Sequence, residues 1–252
     1  MDSRTAYLLA AERERREVDR IDPEGKVSED EAYRLQFEAI ADKLAKGDKI
    51  VGLKTGLTSK AKQQTMGVLQ PIMGHLLAST VVPNGGTVEC APLIHPRAEP
   101  EIAFRLGKDL TGAATIAQAR AAVATVMPAL EIIDSRYKNF KFGLADVIAD
   151  NTSASRVVLG PETPMGDYDL RLVGMVYSKN GEPVATASGA AILGDPWEAL
   201  TWLAKRAAEL DRPLKAGHVV LAGALTDAIF VNPGDSVRVE FDRLGVLDAR
   251  FA

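Results

Sequence analysis

Hydrophobic and polar positions follow a helical period first near the N-terminus. Residues 6–19 read as a helix with a charged face, interrupted by the polar stretch Asp22-Pro23-Glu24-Gly25-Lys26. Ser28, with Glu31 three residues on, makes a capping-box signal, and Ala32, Leu35, Phe37, Ile40, Ala41 and Leu44 then recur at roughly helical spacing until Gly47. From residue 49 the texture changes to short apolar runs separated by Gly, Pro, Asn and Asp. The pattern predicts strands at 49–54, 98–106, 126–134, 155–160, 170–178, 183–187, 218–222, 236–242 and 246–251. Two further helices are predicted, one at 115–124 and one at 196–210, the second with Asp195 as cap and Pro196 in its first turn. Lys179-Asn180-Gly181-Glu182 carries the Asn-Gly signature of a tight hairpin. The expected organisation is α+β, with an N-terminal helical arm over residues 1–48 and a β-rich catalytic domain over 49–252.

Charge narrows the function classes. Thirty basic against 34 acidic side chains give a net charge of −4, which leaves no excess of cations to grip nucleic acid. No stretch approaches eighteen consecutive apolar residues, and the first residues lack a signal-peptide core, so a cytoplasmic protein without membrane contact is expected. The lone cysteine, Cys90, cannot form an internal disulfide. His75, His95 and His218 show no spacing of metal ligands or of a triad, and no serine sits in a nucleophile elbow. In that compartment the acceptor pattern Asn151-Thr152-Ser153 would not be glycosylated.

The carboxylates carry the candidate chemistry. In Ala98-Glu99-Pro100-Glu101-Ile102-Ala103-Phe104 a period of two puts Glu99 and Glu101 on one strand face, where they are either solvated or held by a cation. Glu131 is embedded in the apolar run from Val126 to Ile133, and an unpaired charge there would be costly to bury. Three carboxylates without a nearby histidine or cysteine pair make an oxygen-only set suited to Mg²⁺ or Mn²⁺. The competing reading of Glu131 is a core ion pair with Arg97, Lys54 or Arg136. Lys54 ends an apolar strand between Gly52 and Gly56 before a Thr58-Ser59 helix start, where it could transfer a proton or be merely exposed. Asp150-Asn151-Thr152-Ser153 reads as a turn or as part of a site, and Thr226-Asp227 as a hairpin corner or a site hydroxyl.

Together these segments resemble the hydratase and decarboxylase family of catechol meta-cleavage pathways, within the fumarylacetoacetase superfamily. The resemblance rests on GLKxGLTS at 52–59, Met66-Gly67-Val68 with Pro71 and Gly74, HPxxExEI at 95–102, EIIDSR at 131–136, ADN at 149–151 and GDxV at 234–237. It runs from about residue 28 to the end, and the stretches 133–142 and 149–156 are more like its decarboxylase branch. Met73 and His75 around Gly74, and Ala224 after Gly223, depart from the family pattern at the pocket wall.

The resemblance implies a curled mixed sheet closing into a barrel-like roll with flanking helices. It implies Glu99, Glu101 and Glu131 as ligands of Mg²⁺ or Mn²⁺, Lys54 as the catalytic lysine with Asp150 and Ser153 beside it, and substrate contacts from Leu53, Gly74, Leu77 and Thr226. The implied activity is decarboxylation of the 2-oxo acid 2-oxo-3-hexenedioate to 2-hydroxypenta-2,4-dienoate and CO₂, with hydration of 2-hydroxypenta-2,4-dienoate as the alternative. A homo-oligomer and a complex with the pathway's vinylpyruvate hydratase are implied as well. For decarboxylation the far end of the pocket should be apolar or weakly polar; Arg136 or Lys141 gripping that end would favour retention of the carboxylate.

Overall fold

The computed structural model describes residues 1–60, 63–64 and 67–252; Met66 and part of the helix expected from Thr58-Ser59 lie outside the described residues. The helices are α1 (Ser3–Glu14), α2 (Glu29–Ala45), α3 (Ile116–Ala122), α4 (Leu144–Ala149) and α5 (Pro196–Glu209). The strands are β1 (Ile50–Gly56), β2 (Ile72–Leu77), β3 (Val81–Pro83), β4 (Thr87–Val88), β5 (Arg97–Leu106), β6 (Val123–Ile133) and β7 (Ala154–Leu159) in the first part of the chain. They continue as β8 (Thr163–Pro164), β9 (Gly174–Lys179), β10 (Glu182–Ser188), β11 (Val219–Ala224), β12 (Ile229–Phe230), β13 (Ser236–Phe241) and β14 (Gly245–Phe251).

A nine-stranded mixed sheet runs β2-β1-β11-β5-β6-β7-β3, with β12 added to β5 and β8 to β6, and a five-stranded sheet runs β10-β9-β13-β14-β4. The architecture is α+β, as expected. The barrel-like closure is not found among the described residues, because the large sheet ends in two different edge strands, β2 and β3. One face of β5 carries Ala98, Ile102 and Phe104 into the main core, where Phe104 stacks on Trp197 of α5 at 4.7 Å between ring centroids. The other face carries Glu99, Glu101 and Ala103, and below the glutamates lies a second apolar cluster of Leu76, Ala103, Met127, Ala129, Val157, Val219 and Leu221. Both faces of β5 are therefore covered, which removes the solvated-face reading of its glutamates.

The expected caps hold. Ser28 accepts from the Glu31 backbone N–H and Asp195 from that of Trp197, whereas Asn180 and Gly181 both have positive φ, as a type I′ hairpin turn requires. The Glu31 side chain pairs with Arg4 and Arg34, so the capping box is only half formed. Several boundaries and elements differ from expectation. The strand expected at 170–178 begins only at Gly174, because Leu170–Leu172 form a 3-10 turn, and the short strands β3, β4, β8 and β12 have too few residues to show a period. Helix α1 stops at Glu14, where Arg15 adopts the left-handed conformation, and the chain then runs extended along residues 136–138: Val18 N–H donates to Arg136 O at 2.8 Å and Val18 O accepts from Lys138 N–H at 2.9 Å. Strand β2 is buried along its whole length, so it shows no polar alternation to read. Helix α4 has six residues, too few to establish a helical period.

Helix α2 is not peripheral. Gln36 donates from Nε2 to Met73 O at 3.0 Å and to Ile148 O at 2.7 Å, and Tyr33 Oη accepts from Met73 N–H at 2.9 Å, which ties α2 to β2 and α4. No helix among the described residues is long and apolar enough to cross a membrane.

Candidate active site

Strand register creates the acidic group. β5 and β6 pair antiparallel with Glu99 directly opposite Glu131, and Glu101 lies one pleat further along the same face. Each of Glu99, Glu101 and Glu131 presents a carboxylate oxygen within 4.8 Å of the others. All three are buried, at 8%, 1% and 1% exposure, so they cannot be dismissed as a solvated acidic surface. Burial first, and then the nearby Glu131 charge, pushes the Glu101 carboxyl well above the usual carboxylate range. Burial also raises Glu131, an effect that Lys54 opposes.

One oxygen of Glu101 is held by backbone. A bulge in the β11–β5 ladder, between Leu221 and Ala224, turns the Gly223 N–H inward to donate to Glu101 Oε2 at 2.7 Å. Gly223 has φ +113°, and a Cβ there would stand 2.1 Å from Thr58 Oγ1, so only glycine fits.

Lys54 reaches Glu131 across the concave face. Its Nζ lies 2.6 Å from Glu131 Oε2 and donates to Thr152 O at 3.1 Å. The strands β11 and β5 separate β1 from β6, a lateral distance of about 14 Å in a flat sheet at 4.8 Å per strand. The contact therefore exists only because the sheet curls. Although the two charges touch, neither Glu131 oxygen receives a well-aligned hydrogen bond among the described residues. A buried carboxylate in that condition, within an all-oxygen donor set, fits a hard divalent cation.

The carbonyl that receives Lys54 belongs to a strained turn. Asn151, Thr152 and Ser153 have φ of 51°, 52° and 56°, three consecutive non-glycine residues in the left-handed region. Tethers to β2 and to Asp134, just past the end of β6, hold them there. The Asn151 carboxamide exchanges two hydrogen bonds with the His75 backbone, Thr152 Oγ1 donates to Met73 O at 2.8 Å, and Ser153 O accepts from Asp134 N–H at 2.9 Å. Gly74 lets the turn approach, since a Cβ there would meet Asn151 O at 2.7 Å.

A cavity of about 320 Å³ opens onto these groups, its wall including Lys54, Glu99, Arg97, Thr152, Ser153 and Phe140. The structure thus brings together Lys54, Ser153, Glu99, Glu101 and Glu131, and Ser153 Oγ is buried without a partner among the described residues. It does not bring Asp150 to the cavity. That carboxylate takes Arg136 Nε at 2.5 Å on one oxygen and Arg136 N–H at 3.0 Å on the other, both residues being buried behind the turn. Arg136 is accordingly not at the far end of the pocket, contrary to the grip considered for it.

Of the expected substrate contacts, Gly74 adjoins Lys54 and the strained turn, whereas Leu53 and Leu77 are core residues outside the cavity wall. A strand period of two explains Leu53, which must point away from its neighbour Lys54. Thr226 donates to Asp227 O at 3.2 Å and stands beside the wall residues Asp227 and Ala228.

The model of the C-terminal region of fumarylacetoacetate (FAA) hydrolase matches residues 44–252. The chain belongs to this family. Within it, a 4-oxalocrotonate decarboxylase of Pseudomonas putida is 45% identical over 88% of this chain and 84% of its own length. A 2-keto-4-pentenoate hydratase of Paraburkholderia xenovorans strain LB400 is 40% identical over 88% of this chain and 83% of its own. The solved structure of 4-oxalocrotonate decarboxylase from Pseudomonas putida G7, complexed with magnesium and adipate, superposes with a TM-score of 0.96 at 39% identity, covering 99% of this chain and 96% of that one.

Sequence reasoning passed over Arg97 except as an ion-pair partner, and it gave Phe140 no role at the site. The signal for Arg97 was available: it lies two residues before Glu99, hence on the same strand face. Phe140 carried no such signal, because its position follows from a left-handed φ of 58° in the loop after β6.

Proposed function

We propose that this family member is a metal-dependent decarboxylase that converts 2-oxo-3-hexenedioate to 2-hydroxypenta-2,4-dienoate and CO₂ in aromatic meta-cleavage degradation. The observation that carries the reading is the buried group of Glu99, Glu101 and Glu131, with Lys54 against Glu131 at the wall of a cavity sized for a small diacid. The decarboxylase relatives and the magnesium- and adipate-bound neighbour support it, adipate being a six-carbon diacid like the proposed substrate. Glu99, Glu101 and Glu131 would hold Mg²⁺ or Mn²⁺. Bound there, the ion supplies a Lewis acid for negative charge on the 2-oxo oxygen.

The remaining chemistry falls to the chain's own groups. Cleavage of the C5–C6 bond releases CO₂ and sends its electron pair through C4 and C3 to the C2 oxygen. Lys54 Nζ, fixed by Glu131 and Thr152 O, holds the proton that this oxygen takes up to give the dienol, and solvent returns a proton to the lysine. The strained turn fixes the Thr152 carbonyl, and with it the direction of the ammonium. Ser153 offers a hydroxyl at the same wall. Asp150 acts from behind the turn, through Arg136, as a positioning residue.

In the same proposal, residues 1–48 form the arm and 49–252 the catalytic domain of a cytoplasmic homo-oligomer that contacts the pathway's hydratase. The test is product analysis with 2-oxo-3-hexenedioate in Mg²⁺ and then in chelator, following CO₂ and dienol absorbance. Metal-dependent CO₂ release is expected. Absence of CO₂, with metal-dependent consumption of 2-hydroxypenta-2,4-dienoate, would transfer the assignment to the hydratase branch.

A further inference from the structure

Two of the described residues in the cavity wall carry a positive charge, Lys54 and Arg97. Lys54 is engaged by Glu131 and Thr152, whereas Arg97 Nε is buried without a hydrogen-bond partner among the described residues, and the Glu99 carboxylate, one pleat along the same face, acts on the guanidinium through space. Arg97 is held by rings instead. Its Cζ lies 4.1 Å from the Phe140 centroid and 4.3 Å from that of Phe230. Such a clamp fixes the guanidinium plane while leaving its donors along the edge.

We infer that Arg97, clamped between Phe140 and Phe230, anchors the far carboxylate of a six-carbon diacid whose oxo-acid end lies at the glutamates; this rests on the decarboxylase reading. The geometry is a matter of spacing. Arg97 stands two residues, roughly 7 Å of strand, from Glu99 toward the more exposed end of the face. With C–C bonds of about 1.5 Å, the terminal carbons of an extended six-carbon diacid stand roughly 6 Å apart. The forked guanidinium suits a carboxylate. Because the bond is made to the group that departs as CO₂, it stabilises the ground state. The far end, expected from the sequence to be apolar or weakly polar, is then cationic: Arg97 sets selection of diacids over monoacids, and hence KM, at some cost to the chemical step, because the carboxylate must give up this bond to depart as CO₂.

Calorimetry with two ligands that differ only at the far end tests this: 2-oxoadipate and 2-oxohexanoate, titrated in Mg²⁺ into the wild-type protein, Arg97→Gln and Arg97→Lys. Wild type should prefer 2-oxoadipate. Arg97→Gln should weaken 2-oxoadipate by about 10- to 100-fold and leave 2-oxohexanoate within twofold, with Arg97→Lys between. In turnover the Gln variant should raise KM without lowering kcat. Equal losses for both ligands, unchanged 2-oxoadipate affinity, or a fall in kcat at constant KM would overturn the anchor. If wild type binds the two equally, the anchor alone falls; if wild type binds neither and releases no CO₂, the decarboxylase reading falls with it.

Discussion

Glu101→Gln is expected to stabilise the metal-free protein while abolishing its response to Mg²⁺. In the metal-free state Glu101 is buried beside Glu131 and Glu99, with carboxylate oxygens within 4.8 Å of one another. At that separation and an effective dielectric of about 20, two unit charges repel by about 3.5 kcal/mol. Lys54 attracts Glu101 as well, so of two repulsions and one attraction roughly one repulsion is left. Glutamine removes the charge and keeps an oxygen for the Gly223 N–H. The wild-type carboxyl already escapes part of the penalty by holding its proton, since its pKa is raised in the fold. That contribution favours folding at low pH and is lost as pH rises above the ordinary carboxylate range. The advantage of glutamine should therefore grow with pH, to about 1–3 kcal/mol at pH 8, or a Tm rise of roughly 2–10 °C for a chain of this size. With Mg²⁺ the order inverts: wild type gains about 4.1 kcal/mol at roughly a thousandfold excess over Kd, and the variant gains little. Scanning calorimetry at pH 6 and 8, with and without Mg²⁺, reads all four states. A metal-free variant less stable than wild type at pH 8, or one retaining the full Mg²⁺ shift, would refute the argument.

Further outcomes follow from other contacts. Lys54→Met should lower CO₂ release by roughly 10²- to 10⁴-fold while keeping the Mg²⁺-induced Tm shift, and activity within tenfold of wild type would remove the lysine from the mechanism. Asp150→Asn leaves the buried Arg136 guanidinium without its counter-charge, and urea unfolding at pH 8 should show a loss of about 3–5 kcal/mol; a loss under 1 kcal/mol would contradict the pairing. His75 is buried, donates from Nδ1 to Gln36 Oε1, and has its pKa pushed down to about 4, chiefly by burial. A depressed pKa means that the neutral ring's contribution is complete above about pH 6.5 and is lost as pH falls toward 4, by about 3 kcal/mol in all. Comparing the pH dependence of urea midpoints for wild type and His75→Asn checks this, and parallel curves would show that the ring titrates freely.

The segment after α1 bears on the same site. Glu17 reaches His95 Nδ1 at 3.0 Å and accepts from Asn139 N–H at 3.1 Å, while Lys138 pairs with Asp19 at 2.8 Å. The arm thus holds the back of the loop that carries Phe140, whose ring contacts Arg97 from the cavity side.

What the sequence alone determined here is local: the period of two that places Glu99 with Glu101, the caps at Ser28 and Asp195, and the Asn180-Gly181 hairpin. Each depends on neighbours a few residues apart, so composition and spacing suffice. Tertiary structure decided everything that depends on curvature and crossing. The curl of the sheet carries Lys54 over two intervening strands to Glu131, and the bulge at Gly223 turns one amide onto Glu101. Partner competition fixed Asp150, since Arg136 approaches from behind the turn and leaves no oxygen for the cavity. Arg97 became a candidate only once Phe140 and Phe230, 43 and 133 residues further along the chain, were seen to close on its two sides. No periodicity encodes such contacts, because they arise from the burial of the whole chain rather than from the repeat of any one element.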